Sequence, residues 1–296
     1  MFILQHAEIV TLAKINFGMT NSKELFSEVV NRINLPEDKA EIESIAYLLL
    51  DKKWNLTRTH ILTQKQVTVN QTEVDAYINR INTHEPIQYI LGETDFFGRS
   101  FRVTPDVLIP RPETELLVHE IIRHTKSINQ PAILDVGTGS GCIAISLALE
   151  IPSVVHAIDV SLNALKIAQE NATRLNATVT FNLQDILKEP ITQKFDLIVS
   201  NPPYISQQEK QNMKPNVLNY EPHTALFAPG ENALLFYKVI AQRAHQALNP
   251  GGSLWFEINE HYAKEICEIM KANGFEAVIT LKDWNGKERV VWGRII

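Results

Sequence analysis

The sequence predicts an α/β fold: a doubly wound, mostly parallel sheet of seven strands, preceded by a small helical domain and a β-hairpin linker. Three observations carry this. Beyond Pro131 short β-branched and apolar runs alternate with helical stretches, the pattern of a parallel sheet covered on both faces. The first eighty or so residues show only helical periodicity. Between the two, Thr94–Val103 places aromatic and β-branched residues around Gly98-Arg99, as in a hairpin.

In chain order, Leu35-Pro36-Glu37 reads as a helix start, followed by Ile42, Ile45, Ala46 and Leu49 at helical spacing. Val74, Tyr77, Ile78 and Ile81 repeat the pattern behind Thr72 as a cap. These residues fit a bundle packing its own core and a docking domain for a macromolecule equally well. After the hairpin, Pro112 opens a helix with Glu113 and Glu115 in its first turn, where acids complement the helix dipole. The strands that follow are Ala132–Val136, Val154–Asp159, Val179–Leu183, Phe195–Ser200 and Ser253–Ile258. Helices Cys142–Glu150, Leu162–Leu175 and Leu234–Leu248 lie between them. Helix Tyr262–Asn273 stops at Gly274, and Phe275–Leu281 with Arg289–Ile296 closes the chain as a hairpin. The expected division is 1–84, 85–110 and 111–296.

Composition narrows the function. The chain has 296 residues and a formal charge of −6, and residues 1–84 carry 9 basic and 10 acidic side chains. Neither part has the basic surface of a protein that grips duplex nucleic acid by itself. Two cysteines, Cys142 and Cys267, cannot make a disulfide framework, and no Cys/His cluster suggests a metal. The first residues lack a basic n-region and a cleavage site, and the longest strongly apolar run, Cys142–Leu149, is too short to span a bilayer. A reduced, cytoplasmic protein without membrane contact is expected.

The chemistry gathers at strand ends. Asp135-Val-Gly137-Thr138-Gly139-Ser140-Gly141 joins a strand to a helix, and its glycines allow the backbone and its N–H groups to approach a ligand. The G-x-G-x-G spacing is not the dinucleotide fingerprint. A purely structural glycine turn would look the same. Asp159 ends the second strand 18 residues beyond Gly141, where a carboxylate can accept from ribose hydroxyls; capping the next helix is its other use, with Ser161 competing. Asp185 and Ile186 follow the third strand, placed to accept from an adenine amino group and to cover the base; Asp185 also fits a plain loop acid. Together these describe a nucleoside pocket without a phosphate cradle, which points to S-adenosyl-L-methionine rather than a nicotinamide or a triphosphate.

Ser200-Asn201-Pro202-Pro203-Tyr204 follows the fourth strand. Two prolines stop a sheet ladder, because neither has an N–H. A strand stop alone leaves the preceding amide and the following aromatic ring unexplained. The Asn201 side-chain oxygen and the Pro202 carbonyl can each accept one N–H of a planar NH₂ group, holding its nitrogen towards a sulfonium methyl. Pro203 and Tyr204 then complete the acceptor site, Tyr204 with a π-face. Asn201 borders the cofactor as well.

With these residues in view, the chain resembles the release factor glutamine methyltransferase family (PrmC/HemK) over essentially its whole length. The matching stretches are Pro86–Gly92, Leu108-Ile-Pro-Arg-Pro-Glu-Thr-Glu115, Leu134–Ile143, Asn201-Pro-Pro-Tyr-Ile205 and Tyr220-Glu-Pro222. The resemblance implies a Rossmann-like class I fold and methylation of the glutamine in the Gly-Gly-Gln motif of class 1 peptide chain release factors. It implies that the N-terminal helices grip the release factor. It also implies that Gly137, Thr138, Gly139, Ser140, Gly141, Asp159, Asp185 and Ile186 hold S-adenosyl-L-methionine, while Asn201, Pro202, Pro203 and Tyr204 hold the glutamine. The chain departs from the family pattern at Ile186, where many relatives carry a bulky aromatic, and at Glu257-Ile258-Asn259, where relatives tend to read Glu-Ile-Gly.

The expected reaction is an in-line displacement governed by positioning, by a monomer that makes no direct contact with nucleic acid. No side chain in the motifs is a strong general base, so the proton lost from nitrogen goes to water or a nearby acceptor. Arg111, Glu113 and Glu115 fit either the pocket rim or a structural ion pair at a helix start. Asn201–Tyr204 alone also fits a DNA or rRNA amino-methyltransferase, though that reading lacks a basic recognition segment. A non-catalytic binding protein that keeps the pocket would not need the intact acceptor motif.

Overall fold

The computed structural model describes residues 17–126, 128–206, 209–230 and 232–296. The expectation of no leader at the chain start therefore lies outside the described residues. The chain divides into two compact units, with the boundary in the sequence between Leu91 and Gly92.

The first unit contains β1 (Phe17–Asn21), α1 (Ser22–Arg32), α2 (Lys39–Trp54), α3 (Arg58–Leu62), β2 (Gln66–Asn70), α4 (Gln71–Asn82) and α5 (Ile87–Leu91). Leu25 and Val29 of α1, Leu49 and Leu50 of α2 and Val74, Ile78 and Ile81 of α4 form its core. Two expectations are corrected here. The unit is not purely helical, since β1 and β2 pair antiparallel from Phe17↔Asn70 to Asn21↔Gln66. The helix starts also move. Asp38, not the Pro36 turn, caps α2 by accepting from the Glu41 N–H, and Asn70, not Thr72, caps α4 by accepting from the Thr72 N–H at 3.1 Å. Asn21 caps α1 in the same way, so each strand of the ladder runs directly into a helix.

The second unit opens with the hairpin β3 (Glu93–Phe96) and β4 (Arg99–Arg102). Its turn is Phe97-Gly98, both at positive φ (49° and 71°), one residue earlier than the expected Gly98-Arg99. The hairpin is not a free linker. Phe96 and Phe101 are buried in the core of this unit, and the Phe97 N–H donates to Glu115 Oε1 at 2.9 Å. α5, also placed in the linker from sequence, buries Ile87 and Ile90 in the first unit's core.

Next come α6 (Pro112–Thr125), β5 (Ala132–Val136), α7 (Cys142–Glu150), β6 (Val154–Asp159), α8 (Leu162–Leu175), β7 (Val179–Leu183) and β8 (Phe195–Ser200). The chain ends with α9 (Pro215–Tyr220), α10 (His223–Leu226), α11 (Leu235–Ala247), β9 (Leu248–Glu257), α12 (Ala263–Ala272), β10 (Glu276–Lys282) and β11 (Glu288–Arg294). The seven strands lie in the order β10-β11-β9-β8-β5-β6-β7, and β11 is antiparallel to its neighbours β9 and β10. β9 begins five residues before the expected Ser253, because the pairing with β8 slips between Phe195↔Leu248 and Leu197↔Ser253. One face packs on α11 and α12 through Tyr237, Ile240, Ile266 and Met270, the other on α6 and α7 through Leu117, Ile121, Ile145 and Leu147.

Because β5 pairs with β6 on one side and β8 on the other, the winding reverses there and leaves a crevice at the carboxyl ends of the strands. Registers Val136↔Ile158, Val136↔Ser200 and Ser200↔Phe256 bring the ends of β5, β6, β8 and β9 to one edge. Among the described residues no helix is long and apolar enough to cross a membrane.

Candidate functional site

The glycine turn follows β5 directly. Gly137, Gly139 and Gly141 all have positive φ (76°, 54° and 82°), which L side chains rarely adopt. Their surroundings separate their roles. A Cβ on Gly137 or Gly139 would meet nothing within 4 Å, and both line a cavity of about 460 Å³. A Cβ on Gly141 would lie 2.8 Å from Ile145 Cδ1 and 3.1 Å from Ala168 Cβ, so this glycine serves the contact of α7 with α8. Thr138 and Ser140 are buried away from the cavity. The Thr138 hydroxyl donates to Asp135 Oδ2 at 2.7 Å, and the Ser140 carbonyl accepts from Asn171 at 2.9 Å. Beneath the turn burial pushes the Asp135 carboxyl up to about 7.

Asp159 is fixed by the turn it faces. Its Oδ2 accepts the Gly139 N–H at 2.9 Å and its Oδ1 the Ser161 N–H at 2.8 Å. Burial raises its carboxyl while these N–H groups hold it down. The helix cap falls to Ser161, whose Oγ accepts from the Ala164 N–H, so Asp159 is left facing the cavity. Asp185 and Ile186 line the same cavity. Asp185 is paired with Lys188 at 2.9 Å, which holds its carboxyl below the usual range, and Ile186 is buried.

Asn201, Pro202 and Pro203 line the large cavity and also a second one of about 100 Å³. They form the partition between the two. Tyr204 lines only the small cavity, together with Arg111 and Glu257. Burial, then the nearby Glu257, pushes the Tyr204 phenol up to about 12. Burial pushes the Glu257 carboxyl up to about 7; Glu113 adds to this, and the Thr114 hydroxyl, Arg289 and Arg111 oppose it.

Of the three charged residues near Pro112, Glu115 anchors the hairpin, and Arg111 pairs with the buried Glu221 at 2.5 Å. Sequence reasoning gave no role to Glu221, Glu257, Leu108 or Asn171. Leu108 lines both cavities. Asn171 accepts the Arg102 N–H at 2.7 Å and donates to the carbonyls of Arg102 and Ser140, tying hairpin to glycine turn. The signal for Glu257 was available: a carboxylate directly after the apolar run Leu254-Trp-Phe256. Asn259 sits at φ −75° and its side chain accepts from the His261 N–H, so no glycine is needed there.

Comparison with known proteins identifies the family. Residues 112–235 match the methyltransferase small domain and residues 34–92 the PrmC N-terminal domain. The release factor glutamine methyltransferase of Flavobacterium psychrophilum is 43% identical over 262 residues, covering 86% of this chain and 92% of the relative. That of Bacteroides thetaiotaomicron is 42% identical over 257 residues, covering 85% and 92%. A methyltransferase from Pyrococcus furiosus shares the fold, with a TM-score of 0.51 at 21% identity over 75% of this chain and 98% of that one.

Proposed function

This chain belongs to the release factor glutamine methyltransferase family, and on that premise we propose that it methylates the side-chain amide nitrogen of the Gly-Gly-Gln glutamine in class 1 peptide chain release factors. The supporting observation is the partition itself: Asn201 and Pro202 stand between a nucleoside-sized cavity and a small one that Glu257 and Arg111 also line.

The cofactor is S-adenosyl-L-methionine, which supplies an electrophilic methyl group on sulfur. The residues present suit it. Gly137 and Gly139 leave a cradle that a Cβ would fill, Asp159 offers lone pairs to ribose hydroxyls, and Asp185 with Ile186 can receive the adenine. Thr138, Ser140 and Gly141 shape the turn that holds this cradle. The Asn201 side-chain oxygen and the Pro202 carbonyl accept the two N–H groups of the glutamine amide. This orients the nitrogen lone pair towards the methyl and lets it localise as the bond forms. Pro203 and Tyr204 confine the planar group.

Residues 1–84 dock the release factor, and 111–296 carry out the transfer. The near-neutral balance of 1–84 favours a protein partner over nucleic acid. The enzyme works as a cytoplasmic monomer. The test is incubation of purified release factor with the enzyme and S-adenosyl-L-methionine, followed by peptide mass mapping. A gain of about 14 mass units, a methyl in place of hydrogen, is expected at the Gly-Gly-Gln glutamine, with none when that glutamine is replaced. Labelling that persists in the replaced factor, or goes only to rRNA or DNA, would refute the reading.

A further inference from the structure

Glu257 ends β9 at the same sheet edge as Asp159 and Ser200. Its side chain is buried, and Oε2 has no hydrogen-bond partner among the described residues. A buried carboxylate left this way costs stability, so its place needs a reason. It lines the small cavity directly behind the Asn201–Pro203 partition, and about 100 Å³ is ample for water.

We infer that Glu257 is the proton acceptor of the methyl transfer, taking up through the small cavity the proton that the glutamine amide nitrogen sheds on methylation. The inference rests on the function proposed above. The balance is simple. The nitrogen lone pair forms the new N–C bond, while the methyl–sulfur bond breaks and leaves its electron pair on sulfur. One N–H bond then breaks, its pair returns to nitrogen, and the proton passes to the Glu257 carboxylate and later to solvent.

The surroundings suit this task. A carboxyl near neutrality can both take and release a proton at working pH. Glu113, just ahead of Thr114 on α6, raises it, while Arg111 and Arg289, on the approach to α6 and on β11, favour its charged form. Arg111 is itself largely committed to Glu221. Tyr204 stays protonated, so its hydroxyl can relay a proton without ionising. Cys142 of α7 is pushed up to about 12 and stays a thiol. The Tyr237 hydroxyl of α11 donates to the Glu257 backbone carbonyl at 3.1 Å, not to its carboxyl.

The experiment is a pH profile of kcat from 5.5 to 9 with full-length enzyme and release factor. The wild-type rate should fall on the acid side as Glu257 takes up a proton. Glu257→Gln should lack that acid limb and turn over about a hundredfold more slowly at pH 8, with KM for release factor within about threefold. Thr114→Val, which removes a hydroxyl favouring the charged carboxyl, should displace the limb to higher pH. A Glu257→Gln enzyme with the wild-type rate and limb would overturn the inference. If that variant does not fold, an unmoved limb in Thr114→Val overturns it and a displaced one supports it. A readout independent of turnover is the infrared difference spectrum of the enzyme without cofactor or substrate. Thr114→Val should shift the pH at which the carboxylic acid band of Glu257 titrates, and no titrating band would also overturn the inference. Absence of methyl transfer by the wild type would fail the functional reading instead, and the infrared titration would still decide the state of Glu257.

Discussion

Arg111 Nη2 lies 2.5 Å from Glu221 Oε1, and Glu221 Oε2 accepts the Ile109 N–H at 3.3 Å. The Glu221 side chain is 1% exposed. This pair clamps the segment entering α6 to the segment after α9, joining residues 110 positions apart beside the partition. Removing Arg111 strands a buried carboxylate. Arg111→Ala should therefore cost about 3 kcal/mol in urea denaturation, and Arg111→Ala with Glu221→Ala clearly less than the sum of the two single changes. Additive losses would show that the pair is not coupled.

The glycines of the turn should respond differently. Gly141→Ala meets Ile145 and Ala168 at φ 82° and should lower stability by about 3 kcal/mol. Gly139→Ala meets nothing in the protein and should cost only about 1–2 kcal/mol, for its φ of 54°. Its Cβ would enter the cofactor cradle, so calorimetry should show affinity for S-adenosyl-L-methionine falling at least about tenfold. Thermal melts and titrations on the two variants check both halves.

Asn201→Ala removes one of the two acceptors proposed for the amide. A drop in kcat of about a hundred- to a thousandfold is expected, with release factor still bound and cofactor affinity changed by less than about tenfold. Single-turnover labelling together with a binding titration measures this; an unchanged single-turnover rate would exclude Asn201 from the chemistry.

Asp135 gives a signed pH dependence. Its carboxyl sits at about 7 in the folded chain, mainly through burial, against about 3.8 for an unburied group. Between these values the folded state holds a proton that the unfolded state has lost. The contribution of Asp135 to stability therefore falls as pH rises from about 4 to about 7 and is level above that. Asp135→Asn removes the slope while keeping an acceptor for Thr138. The melting temperature of the variant relative to wild type should rise from pH 5 to pH 8, and a pH-independent difference would contradict the assignment.

Much of the fold was legible because local rules govern it. The first four strands of the sheet and helices α7 and α8 fall on the residues that periodicity predicts. The helix starts at Asp38 and Asn70 were misplaced, because several residues nearby could cap and only backbone geometry selects one. The β1–β2 ladder escaped notice because its strands of five residues are separated by 44 positions, and no local signal announces so distant a partner.

The sequence by itself determined which chemistry is available: glycines where backbone must approach a ligand, Asp159 and Asp185 at strand tips, and two acceptor oxygens before Pro203. Spacing along one strand–turn–helix unit suffices for that, since the geometry of each unit is nearly fixed. Only the tertiary structure decided which of these residues share a space. It turned Gly141 towards α8, set Thr138 on Asp135, paired Arg111 with Glu221, and put Glu257 behind Asn201. Except for Thr138 on Asp135, three residues apart, those relations join residues distant in the chain, and their energetics depend on burial, which raises the Glu257 and Asp135 carboxyls and which no stretch of sequence specifies alone.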